Sequence, residues 1–215
     1  VAQPYDGRTT VEPKVSVAIT RHVWLTAGVS TSRLDPLVAG ADSEQANAWL
    51  AGAGYQRTWR GDGDTRHDVT AGYDLHAGTE ALASDLDYRR HLGYARYQAG
   101  GGRATFIADV RIGRITGRAP LFERFTLGDT STLRGWNKYD LAPAGARRLW
   151  HQSVEFRYRA LACFLDAGAL WDDGVDHKVR LGTGIGLHTG SGFLTVGFPL
   201  NADEVNATVM IGARF

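Results

Sequence analysis

The sequence predicts an all-β protein, a transmembrane antiparallel β-barrel, on three observations. Apolar and polar residues alternate with a period of two in about eleven segments of roughly ten residues, the length a tilted strand needs to cross a bilayer. Short and long links alternate along the chain, the asymmetry of barrels with short periplasmic turns and longer external loops. No run of about 18 apolar residues is present, which excludes a transmembrane helix but not a barrel, whose backbone groups pair between strands.

The segments follow in order. Val15, Val17 and Ile19 oppose Lys14, Ser16 and Thr20; Val23, Leu25, Ala27 and Val29 oppose Trp24, Thr26, Gly28 and Ser30. Trp49, Ala51, Ala53, Tyr55 and Trp59 share one parity, and their aromatic members read as an interfacial girdle. Val69, Ala71, Tyr73 and Leu75 then oppose Asp68, Thr70, Gly72 and Asp74. Residues 86–97 alternate less cleanly, whereas Phe106, Ala108, Val110 and Ile112 oppose Thr105, Asp109 and Arg111. Beyond a long loop, Val154, Phe156 and Tyr158 oppose Ser153, Glu155, Arg157 and Arg159. Residues 162–171, 177–188, 192–200 and 206–215 complete the set, the last with Val209, Ile211, Ala213 and Phe215 on one face.

A soluble barrel or sandwich is the alternative, but its strands are usually shorter. The odd strand count places Val1 on the long-loop side if the final strand ends on the short-turn side. Complete bacterial barrels have even strand numbers, so residues 1–215 read as one domain, the C-terminal portion of a longer barrel.

Composition narrows the function classes. The 215 residues carry a net charge of +1, which gives no basic excess for nucleic acid. Cys163 is the lone cysteine, and the seven histidines show no HxH or HExxH spacing, so neither a metal site nor a cofactor is expected. Gly182, Gly184 and Gly186 share one strand face, and a phosphate cradle would instead require a strand leading into a helix. That smooth face suits a segment folded back against the wall. His151, Ser153 and Asp166 suggest a catalytic triad, but no nucleophile elbow or oxyanion donor accompanies them, so no catalytic residue and no enzyme is expected.

The long loop, residues 121–148, carries Leu133-Arg134-Gly135-Trp136. Loops of this length without secondary structure are commonly functional. Glu155 and Asp166 lie on polar faces of the next two segments, so an arginine on a loop folded into the lumen can form a charge-assisted pair with either.

These residues resemble the outer-membrane protein insertase superfamily, that of BamA and TamA, with two-partner secretion transporters as relatives. The resemblance rests on Phe125-x-Leu127-Gly128, Leu133-Arg134-Gly135-Trp136, Glu155 with Arg157, Phe164-x-Asp166-x-Gly168, Gly182-x-Gly184-x-Gly186 and terminal Phe215, and it covers roughly the last 95 residues. Trp136 stands where Phe or Tyr is usual, and Asp129 where a second glycine is common. The resemblance implies a barrel of about sixteen strands without its first strands or its periplasmic POTRA repeats. It also implies an Arg134-tipped loop that pairs with Glu155 and Asp166 and braces the C-terminal strands.

The function so implied is insertion of client β-barrel proteins into the bacterial outer membrane. The implied partners are outer-membrane lipid, unfolded client proteins and periplasmic accessory factors. The strand with Gly212 and Phe215 would form half of a seam at which client strands add. Two alternatives remain: polypeptide translocation of the two-partner secretion type, and a membrane anchor for an upstream enzyme domain. The second activity cannot reside here, because the chain has no Gly-x-Ser-x-Gly.

Overall fold

The computed structural model describes residues 5–36, 43–173, 178–202 and 204–213. Val1 and Phe215, on which the reading of the chain's two ends leans, lie outside the described residues. The described residues form thirteen strands in one antiparallel sheet. In chain order these are β1 (Tyr5–Val11), β2 (Lys14–Ala18), β3 (Val23–Pro36), β4 (Glu44–Gln45), β5 (Ala48–Arg60), β6 (Arg66–Gly78) and β7 (Tyr88–Gly101). There follow β8 (Ala104–Gly117), β9 (Arg148–Tyr158), β10 (Leu161–Trp171), β11 (Arg180–His188), β12 (Gly192–Pro199) and β13 (Thr208–Ala213). One helical turn, α1 (Lys138–Leu141), interrupts the long loop.

Thirteen strands fill eleven positions. β1 and β2 lie along the same side of β3, against Thr31–Pro36 and Trp24–Gly28, and are separated by Pro13, which has no N–H to donate to a ladder. β4 and β5 likewise continue one another along the other side of β3. From β5 onward each strand pairs with its sequence neighbour, so the sheet is a meander with β13 at one edge. The central strands are longer than their alternation suggests: β3, β7 and β8 each span 14 residues.

Burial is inverted relative to a water-soluble protein. Ile211 is 78% exposed, Ile185 64%, Leu161 60% and Ile112 60%, whereas Asp166 and His151 are wholly buried. The alternation explains this, because successive side chains point to opposite faces. In β10, Leu161, Cys163 and Leu165 face outward while Ala162, Phe164 and Asp166 face inward. The outer face is therefore an apolar band suited to lipid, and the inner face is polar.

The aromatic residues read as one girdle divide into two belts. Trp49 sits at the long-loop end of β5, and Trp150 and Trp171 sit at the same ends of β9 and β10. Trp59 sits at the short-turn end, stacked on His67, which in turn stacks on Tyr97. Side chains with an apolar body and a polar tip favour the two membrane boundaries.

Arginine at position 165, in the middle of β10, tests the outer face. Leu165→Arg is expected to lower stability by about 2–4 kcal/mol in a bilayer, the cost of a cation near the midplane, against about ±0.5 kcal/mol on a water-facing surface. Reversible urea unfolding of the full-length protein in liposomes reads the difference.

Candidate functional site: the loop lodged against the inner face

The loop between β8 and β9 folds back onto the inner face of the sheet. Its base is closed by a two-residue bridge in which Phe125 N donates to Ala146 O and Ala146 N to Phe125 O, both at 2.9 Å. Its apolar residues then pack inward. Phe125, Leu127 and Leu133 join Ile115 and Leu149 in a buried cluster. Two glycines of the wall make room: a β-carbon on Gly113 would lie 2.4 Å from the Phe125 ring, and one on Gly168 2.8 Å from Leu127.

The tip is shaped by backbone conformations that favour glycine. Gly128 has φ +98° and Gly135 φ +94°, and Leu133, at φ +33°, is drawn into the same region while its side chain is fully buried. Between them Asp129, in place of the family's glycine, organises the turn. Its Oδ1 accepts from the backbone N–H and the hydroxyl of both Ser131 and Thr132, at 2.8–3.0 Å. Trp136 N–H donates to Leu181 O at 2.8 Å, and the Arg180 guanidinium lies over its ring.

Arg134 is the centre of the site. Its Nε donates to Asp166 Oδ2 at 2.9 Å and its Nη2 to Oδ1 at 2.8 Å, a bidentate pair, while its own backbone N–H donates to Oδ2 at 2.8 Å. Nη1 bonds Glu155, and Nη2 also donates to Ser153 Oγ at 3.1 Å. Glu155 is bonded in turn by Arg157. The ring of Phe164, on β10 opposite Glu155, lies 3.6 Å from the guanidinium carbon, a cation–π contact. The guanidinium is thus held by charge, by fork geometry and by an aromatic face, in a setting with little water.

The backbone of the tip is pressed against β11 and β12. A β-carbon on Gly182 would meet the carbonyl oxygen of Arg134 at 2.1 Å, and one on Gly197 would meet Gly135 N at 2.6 Å. Gly184 instead makes room for Phe164, at 2.6 Å, and Gly186 lies near Thr195 Oγ1, away from the loop. Of the three aligned glycines, only Gly182 touches the motif. Gly212 lies beneath the Phe193 ring, where a β-carbon would come within 2.4 Å of it.

Ser153 and His151 serve the loop. Ser153 Oγ donates to Asp166 Oδ1 at 2.6 Å, and His151 Nε2 accepts from Leu133 N at 3.2 Å. That acceptor role places the imidazole proton on Nδ1, which lies 3.9 Å from Asp109. Ser153 therefore has no histidine base. A second buried cluster was invisible in the sequence. At the start of the loop, Glu123 meets His76 Nδ1 at 3.1 Å, Tyr88 Oη at 3.3 Å and Arg90 Nε at 3.4 Å. Phe164 and Arg157 stood in the motifs that carry the resemblance but without an assigned role, and Gly197 and Glu123 carried no separable signal, each being an ordinary residue of an alternating strand or of a polar loop.

Arg134→Ala leaves Asp166 buried without its cation and Glu155 with Arg157 alone, and is expected to lower stability by about 3–5 kcal/mol. Gly182→Ala is expected to reproduce that loosening without touching a charge, because the Arg134 carbonyl has nowhere to move, whereas Gly186→Ala is tolerated. Heat-modifiable gel mobility and protease resistance of the full-length protein compare the three. Acid tests the tip. Desolvation by the surrounding loop works to raise the Asp129 pKa, but its four hydrogen bonds hold the carboxyl below the ordinary value. The stabilisation is therefore complete above the unfolded pKa of about 3.9 and is lost as pH falls through the lower folded value. Hydrogen-exchange protection of the Ser131 and Thr132 amides should fall in that window, and Asp129→Ala should abolish the pH dependence.

Comparisons with known proteins place this geometry. The Omp85 superfamily domain matches residues 65–203, more than half of the chain. A comparison with curated proteins finds no match. Among solved structures, the fold is similar to BamA from Haemophilus ducreyi lacking POTRA domains 1–3, with a TM-score of 0.67 and 14% identity. The match covers 95% of this chain and 55% of that one, so the chain spans about half the length of its structural relative. An apolar outer face, a polar inner face and the family's domain together place the protein in the bacterial outer membrane. The chain belongs to the Omp85 superfamily.

Proposed function

We propose that this domain is the membrane part of an insertase that helps client β-barrel proteins enter the outer membrane, with Arg134, Glu155 and Asp166 as its internal brace. The observation that carries the reading is a gradient of pairing across the sheet. Among the described residues, β7 and β8 pair over 14 residues each, β9 and β10 over 11, β10 and β11 over eight, and β12 and β13 over six. The brace grips β9 and β10 through side chains and β11 and β12 through close backbone contact. Beyond it, among the described residues, β13 is held to the loop by one long side-chain bond, Thr208 Oγ1 to Gly135 O at 3.4 Å.

Strand addition needs an edge whose N–H and C=O groups can template a client strand. A short strand, anchored by little more than its ladder to β12, separates at lower cost than the long, braced ladders behind it. Gly212 and Phe215 belong to this proposed seam. Unfolded client chains and outer-membrane lipid are then the partners, with periplasmic accessory factors acting on parts of the protein outside the barrel.

The inner face argues against free passage of a polypeptide. A cavity of about 310 Å³ remains beside the loop tip, walled by Arg96, Asp109, Arg111, Arg157 and Thr195. Translocation would require Arg134 to leave both carboxylates.

The full-length protein in liposomes should accelerate folding of an unfolded client barrel over empty liposomes. A photoreactive group at Met210 should cross-link the client, and one at Leu165 in the braced wall should not. Equal folding rates with no cross-link at Met210 would reject the proposal, and cross-links confined to the cavity at Arg96 or Arg157 would favour translocation.

A further inference from the structure

On the outer wall, at the long-loop end, lies a basic patch that neither the loop nor the seam uses. Arg114 of β8 and Arg148 of β9 are directly opposite one another in the ladder. His91 of β7 is opposite Arg114, and Arg89 stands two residues further toward the long-loop end. Like charges facing each other across a sheet repel. Arg148 shares Asp173 with Arg147, and neither Arg89 nor Arg114 makes an ion pair among the described residues. The patch therefore carries more positive than negative charge.

It also borders an apolar cleft. Ile112, Trp150, Ala169 and Trp171 form a recess of about 370 Å³ whose margin is made by Arg114 and Arg148. Trp150 is opposite both Ile112 and Ala169, and Trp171 is opposite Arg148, so two indoles flank a floor formed by an alanine. Toward the short turns the outer pairs of β8 and β9 are uncharged: Ile112 with Trp150, Val110 with Gln152, Ala108 with Val154, and Phe106 with Phe156. The cations thus stand at the upper boundary of the hydrocarbon band, where tryptophan also concentrates and a lipid-facing charge is tolerated.

We infer that this cleft binds one phosphate-bearing lipid of the outer leaflet, its phosphate held by Arg114 and Arg148 and an acyl chain lying between Trp150 and Trp171. Guanidinium forks match phosphate oxygens in pairs, and a shared anion converts the repulsion between facing arginines into attraction. The apolar recess directly below selects a phosphate that carries a hydrocarbon chain over a free ion. Arg89 and His91 extend the basic margin toward a second phosphate.

Native mass spectrometry of the full-length protein tests the site, using a diphosphorylated bacterial glycolipid, the same lipid stripped of phosphate, and inorganic phosphate as competitor. One phosphorylated lipid should be retained, and the R114A/R148A variant should retain it about tenfold less. Lysines at both positions should restore part of the loss. Arg33→Ala, which removes an outward arginine paired with Asp35, should change nothing. Equal retention of the dephosphorylated lipid, complete competition by inorganic phosphate, or unchanged retention in a folded double variant would each overturn the site. If the double variant does not fold, Arg114→Ala alone decides, since Arg114 makes no ion pair among the described residues; undiminished retention would then refute it. Lipid retention is measured without a client, so its outcome stands apart from the insertion assay.

Discussion

The structure depends on one guanidinium held between two strands. Arg134 reaches Asp166 on β10 through two side-chain nitrogens and its own backbone N–H, and Glu155 on β9 through a third nitrogen. The net stability of such a pair is small, because desolvating three charged groups offsets most of their attraction. What the pair supplies is position. With the fork fixed, the backbone from Leu133 to Trp136 has one place to lie, and that place is against Gly182 and Gly197. A single loop thereby ties four consecutive strands together from inside.

Apolar packing makes the arrangement self-consistent. Phe125, Leu127 and Leu133 give the loop a hydrophobic anchor, and Gly113 and Gly168 leave hollows that receive the first two. The inner face is a polar wall with fitted apolar sockets beside the charged tip. The outer face follows the opposite rule, with its large aliphatic residues exposed. Among the described residues the loop ties β9 to β12, while β13 shares a six-residue ladder with β12, an asymmetry that suits the proposed addition of client strands at this edge.

Much of this was legible before any coordinates. Period-two alternation identified eleven positions of the sheet, and the polar parity of β9 and β10 turned Glu155 and Asp166 inward. The breaks at Pro13 and beyond Gln45 were not legible, because the segments on either side of each break pair with the same strand, β3, and fill one position of the sheet. The aromatic stripe on β5 misled in another way: residues sharing a face in sequence stand at opposite ends of a 13-residue strand, and only height on the wall assigns them to a belt. Gly182, Gly184 and Gly186 look equivalent as text, yet one meets the loop backbone, one an aromatic ring and one a threonine.

By itself, then, the sequence determined the class of fold, the sidedness of each strand and the identity of the charged residues that meet inside. Those properties are local, since side-chain direction in an extended chain follows from parity alone. Only the tertiary structure decided which glycine touches which atom, that Glu123 gathers His76, Tyr88 and Arg90, and that Arg114 faces Arg148 across two strands. The contacts of Glu123 and the facing of Arg114 and Arg148 join residues at least 33 positions apart, and their meeting is set by ladder register and loop path, which no local pattern encodes.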